Sequence, residues 1–137
     1  MILITRKMIN GFSEQTEPLT EYEEQTLLPQ LVRGLRTKVG RAMSVTNKAI
    51  IEGMKRNLGL SISDARVRKL INHIRTKDLV PCLIATSSGY YVAETEQELR
   101  EYEESLLGRE EAIRNVRLSI QRQRQKRYSH YNDTLFK

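Results

Sequence analysis

Arg66, Lys69, Asn72 and His73 gather cationic and hydrogen-bonding side chains into eight consecutive positions. Arg and Lys can reach guanine O6 and N7, and an Asn amide can pair with adenine N6 and N7. The chemistry these residue types could perform together is therefore recognition rather than bond-making. Val67, Leu70, Ile71 and Ile74 supply the frame, recurring at the 0, +3, +4, +7 spacing of an apolar stripe on a 3.6-residue helix. At 100° per residue, Lys69, Asn72 and Thr76 fall opposite that stripe, flanked by Arg66 and His73. Recognition side chains are thus expected on a face the core does not need. A charged face is also the ordinary surface of any soluble helix, so the neighbouring elements must decide between the two readings.

Those neighbours predict a particular architecture. Thr20-x-x-Glu23 has the form of a capping box, opening a first helix whose stripe is Leu27, Leu28, Leu31, Val32 and Leu35. Pro29 within it predicts a kink or a late start, and Gly40 marks its end. Met43, Ser44 and Val45 read as a short strand. Thr46 is a candidate N-cap for a second helix with Ile50, Ile51, Met54 and Leu58 on its inner side and Gly59 as its stop. Ser63 then caps the third helix. Leu83, Ile84, Ala85 and Thr86 and, after Ser87, Ser88 and Gly89, Tyr90, Tyr91, Val92 and Ala93 read as a hairpin. Helix, helix, turn, helix and hairpin in that order predict a mostly α winged helix-turn-helix with a small β-hairpin.

A further capping box, Thr95-x-x-Glu98, predicts one long C-terminal helix, about 50 Å from 95 to 127 at 1.5 Å per residue. Leu99, Tyr102, Leu106, Ile113, Val116 and Ile120 step by 3, 4, 7, 3 and 4 along it, a heptad seam interrupted by Arg109. Gly108 is the one point at which the helix could divide. The seam makes a homodimer the expected self-assembly. The rival reading folds Leu99–Leu106 back on the first helix and leaves Arg114–Arg127 as a solvated basic tail; another protein is the further candidate partner. The chain is accordingly read as an N-terminal arm over 1–19, with a short strand at 2–4, the winged domain over 20–93, the long helix over 94–127 and a flexible tail over 128–137.

Charge sharpens the functional reading. Of the net +6, the segment 33–77 holds twelve Lys and Arg against Glu52 and Asp64, a local +10. Residues 94–111 carry −6 and 114–127 carry +6, while Glu14, Glu17, Glu21, Glu23 and Glu24 make the segment 14–24 acidic. A strongly basic fold unit is an electrostatic footprint for nucleic acid. Arg41, Lys48, Lys55 and Arg56 are the expected sequence-blind phosphate contacts, joined by Ser61 and Ser63 at the third helix N-terminus. Thr86, Ser87, Ser88 and Gly89, at the hairpin tip, bring no cation, so insertion of the wing into a minor groove is not expected. Tyr90 and Tyr91 alternate faces, placing one in the core.

Other function classes find little in the residues. His73 and His130 share no ligand spacing with each other or with Cys82, and no Walker loop, nucleophile elbow or HExxH occurs. No enzyme, cofactor or metal is expected. Cys82, the single cysteine, is read as a small apolar residue entering a strand in a reducing cytoplasm. No apolar run approaches the roughly 20 residues of a membrane helix.

Ser63-x-x-x-Val67-x-Lys69-x-Ile71-x-x-Ile74-Arg75, followed by Pro81, Ile84 and Ser88-Gly89-Tyr90-Tyr91, resembles the helix-turn-helix of the biotin operon repressor superfamily. The span from 19 to about 120 is similar to small winged-helix proteins encoded by bacteriophages and prophages. The resemblance implies duplex DNA as partner, bound by the third helix through Ser63, Arg66, Lys69, Asn72 and His73, in transcription regulation or replication control. The alternative is a winged-helix module for protein–protein contact, with another phage or host protein as partner and the basic charge incidental.

Overall fold

A computed structural model describes the backbone over residues 16–135 and side chains over 16–129. The strand expected at 2–4 lies outside the described residues. The chain divides after Glu96 into two compact units.

The first unit begins with the capping box that the sequence predicts. Thr20 N–H donates to Glu23 Oε1 at 2.8 Å, and Glu23 N–H donates to Thr20 Oγ1 at 3.1 Å. The chain then widens into a π-helical stretch, Glu23–Leu27, which runs straight into α1, Leu28–Leu35. The change of register explains Pro29. Helical backbone runs without a break from 21 to 35, so Pro29 lies inside it and the helix does not start late; the wider π-helical turns just before it are where the ladder adjusts to the missing N–H. Leu27, Leu31 and Leu35 are buried along the inner side.

α1 stops at Leu35, before Gly40. A 3-10 turn over Arg41–Met43 takes up Met43 of the expected strand, and Val45 keeps only an isolated antiparallel bridge to Tyr90. α2, Asn47–Leu58, is capped by Thr46, whose Oγ1 accepts from Ala49 N–H at 3.1 Å. It ends on Gly59 at φ 65, the left-handed conformation that glycine adopts at least cost. Of its expected inner residues, Met54 is buried, Ile50 and Ile51 are half-buried, and Leu58 is exposed. α3, Asp64–Thr76, starts on Ser63, which accepts from Arg66 N–H at 3.2 Å. Val67, Leu70, Ile71 and Ile74 are all buried, as their spacing requires.

β1, Leu83–Thr86, and β2, Gly89–Val92, form the hairpin in the register Leu83 to Val92 through Thr86 to Gly89. Thr86 Oγ1 closes its tip, accepting from Ser88 N–H and donating to Gly89 O. Gly89 has φ 121, and a Cβ there would collide with the Val45 carbonyl. Tyr91 is 1% exposed and Tyr90 is half-buried, so the strand alternates as expected. Cys82 departs from its expected place: it is exposed, with φ 66, in the turn just before β1.

A single helix of 40 residues, α4, Glu96–Leu135, makes up the described part of the second unit, its first residue alone belonging to the first unit. Its length is about 60 Å at 1.5 Å per residue. Gly108 does not divide it, and the helical backbone continues through the stretch from 128 read as a tail.

Candidate nucleic-acid interface

The centre of the expected reading face belongs to an ion-pair cluster. Glu23, 2% exposed, accepts from Lys69 Nζ on Oε1 at 2.8 Å and from Arg66 Nε on Oε2 at 2.9 Å. The same Oε1 takes the Thr20 N–H of the capping box, so one carboxylate ends a helix and ties that end to α3. Burial by itself would raise its pKa. Hydrogen bonds from Lys69, the Thr20 backbone and Arg66, with the Lys69 charge, outweigh burial and hold it at about 2.

This corrects the reading of the two cations. Lys69 is 9% exposed and spends its ammonium on Glu23, so it does not face solvent. Arg66 is partly exposed, but its Nε is committed to Glu23 and its guanidinium lies 5.8 Å from the Tyr22 ring centroid. Asn72 and His73 are half-buried and line, with Thr16, Glu17, Pro18, Leu19 and Glu24, a surface hollow beside the same segment. Lys69, Thr76 and Lys77 line it as well, so its two acids, Glu17 and Glu24, stand beside two cations. The Arg66–Lys69 part of the polar face of α3 is thus a second packing surface, held by Glu23 of the acidic stretch before α1.

The outward edge of α3 keeps Asn72 and Thr76 of the expected face and gains Arg68. Ala65, Arg68, Asn72 and Thr76 step by 3, 4 and 4, and Arg68 and Thr76 are exposed. Arg68, 54% exposed, forms an ion pair with Asp64 one turn earlier. Asp64 Oδ1 accepts from Asn47 Nδ2 at 3.0 Å, and Asn47 Oδ1 accepts from the Tyr90 hydroxyl at 2.5 Å. A polar chain therefore runs from hairpin through α2 to the edge of α3 and fixes their mutual orientation. Burial pushes the Tyr90 phenol up from its ordinary value, against the opposing charges of Arg75 and Arg68. Arg68 and Asn47 were missed by a reading centred on the helix face farthest from the apolar stripe. The signal that Arg66 and Lys69 are engaged was the acidic run before α1, opposite in charge to them.

All six expected phosphate-contact residues, Arg41, Lys48, Lys55, Arg56, Ser61 and Ser63, are exposed. Arg41 is braced on the hairpin, with Nη2 3.5 Å from the Tyr91 hydroxyl and its guanidinium 5.9 Å from the ring centroid. Ser63 Oγ is engaged as the cap of α3. At the hairpin tip Thr86, Ser87 and Ser88 are exposed and uncharged.

On α4, the seam residues Leu106, Ile113, Val116 and Ile120 are exposed, while Leu99 and Tyr102 are half-buried. Among the described residues, no group of three His, Cys, Asp or Glu is placed to hold a metal, and no helix is long and apolar enough to cross a membrane. No family model, curated protein or solved structure matches the chain.

Proposed function

We propose that this chain is a non-enzymatic duplex DNA-binding protein that works in the cytoplasm in transcription regulation or replication control. Its resemblance to small winged-helix proteins supports a phage or prophage origin. The observation that carries the reading is the outward edge of α3, with Arg68 and Thr76 exposed and Asn72 half-buried between them, held by a capped helix-turn-helix. Exposed cations surround it in the sequence at Arg41, Lys48, Lys55 and Arg56. In this reading α3 enters the major groove on the Arg68–Asn72 edge and leaves Arg66 and Lys69 to structure. Arg68 offers a guanidinium fork for guanine, Asn72 an amide for adenine, and the α2 cations bind phosphates regardless of sequence.

Fluorescence anisotropy on random duplexes at two salt concentrations tests this. Several phosphate contacts make affinity fall by orders of magnitude as salt rises from about 50 to 200 mM. Arg68→Ala and Asn72→Ala should each cost about 1–3 kcal/mol at a selected site. Wild-type affinity and unchanged site preference in both variants would remove α3 from the groove.

A second reading, a protein–protein module, draws on a groove of about 420 Å³ between α1 and α2. Leu31, Val45, Ile50, Met54 and Leu58 line it, and the hairpin tip is uncharged. Partner binding there would be nearly insensitive to salt, which separates the two readings.

A further inference from the structure

We infer that α4 is the interface of an antiparallel homodimer, in which two copies of this helix pair along the Leu99–Ile120 seam with acidic half against basic half. Continuity is the first support. α4 is one helix from Glu96 to Leu135, so the heptad positions share one stripe, and Leu106, Ile113, Val116 and Ile120 are 41%, 70%, 64% and 57% exposed on it. Four large aliphatic side chains at core spacing leave a coiled-coil seam without a cover within the second unit.

Charge selects the occupant and its direction. Residues 94–111 carry a net −6 and 114–127 a net +6. A parallel pair would stack each half on its own sign, whereas an antiparallel pair sets opposite signs together along the whole overlap. Register agrees with direction. The alignment that sets Tyr102 against Ile120 of the partner subunit also sets Leu106 against Val116 of the partner subunit, because an equal step inward on one helix is a step outward on the other. Arg109 then meets Ile113 of the partner subunit, so its aliphatic stem packs while its guanidinium reaches outward. In a parallel pair Arg109 would meet its own copy in the core.

The flanking positions carry the same preference. In this register Glu103 faces Arg117 of the partner subunit, and the positions of Glu96 and Glu98 face those of Arg124 and Lys126 of the partner subunit. In a parallel pair Glu98 would flank Glu103 of the partner subunit, a like-charge contact. Glu110 meets its own copy near the two-fold axis, one residue from Arg109.

The test is sedimentation equilibrium of the full chain, under reducing conditions, with circular dichroism to verify folding. The wild type should be dimeric at tens of micromolar. Glu103→Lys and Arg117→Glu should each weaken dimerisation roughly ten-fold, since each turns two symmetric attractions into repulsions. The double variant E103K/R117E should recover most of the loss. A monomeric wild type, or a double variant no tighter than either single one, overturns the inference. Leu99→Cys in a Cys82→Ser background reads direction independently. Efficient disulfide linkage between its chains would mean parallel helices and overturn the antiparallel pairing, and its absence in a dimer supports it.

Discussion

Replacing Glu23 by Gln isolates the charge at the centre of the ion-pair cluster. Gln occupies almost the same volume and, as in many capping boxes, can still accept from the Thr20 N–H, so the helix start survives. What is lost is the anion that Lys69 and Arg66 share. The folded carboxyl titrates near 2 against an ordinary 4.5. At 1.36 kcal/mol per pKa unit the differential stabilisation is about 3 kcal/mol. Leaving Lys69 buried without its anion gives the same scale, about 3–5 kcal/mol. The sign follows from a depressed pKa: the contribution is complete above about 4.5 and disappears as pH falls through about 2. Urea unfolding at pH 7 should therefore show Glu23→Gln less stable by about 3 kcal/mol. The gap should narrow between pH 4.5 and pH 2 as the wild type loses its charge. A variant within about 0.5 kcal/mol of wild type at pH 7, the range of ordinary surface changes, would refute the argument that this pair holds the two elements together.

Lys69→Met should lower stability but leave DNA affinity unchanged in anisotropy, because the ammonium is turned to Glu23; a selective loss of affinity in a stable protein would return Lys69 to the groove. Gly89→Ala combines a positive φ with a collision at the Val45 carbonyl, so thermal unfolding should show a loss well above the roughly 1 kcal/mol of ordinary glycine replacements. Gly108→Ala should do the reverse: nothing lies near an added Cβ, and a mid-helix glycine costs about 0.5–1 kcal/mol relative to alanine, so helicity by circular dichroism and Tm should rise.

Local chemistry was legible where one residue acts on its near neighbours. Thr20 with Glu23, Thr46 and Ser63 cap as their types and positions require, and Val67, Leu70, Ile71 and Ile74 are buried on their period. The face of α3 that remains exposed was not legible in the same way. Periodicity says which side of a helix is apolar; it does not say whether a polar side is met by opposite charge from elsewhere. Glu23 lies 46 residues before Lys69 in sequence, and the partnership depends on packing that no spacing encodes. The position of Pro29 depended on a register change to π-helix, which adds one residue to a turn and has no simple pattern. Gly108 left α4 whole because strong helix formers surround it and its position carries no packing partner. Leu58 shows the opposite limit: it has the right spacing, but it closes α2 beside an open groove and stays exposed.

The double duty of Glu23 also changes how the N-terminal end of the domain opens. The first turn of a helix is ordinarily where backbone fraying starts and amide hydrogens exchange with solvent most quickly. Here the carboxylate that receives the Thr20 amide hydrogen is the one gripped by Lys69 and Arg66, so that turn cannot unwind without uncovering two cations on α3. The Thr20 amide should accordingly exchange on the timescale of the α3 core rather than that of a loose end. A segment far from α3 in sequence thus becomes part of the same cooperative unit, and the domain has no soft edge on that side.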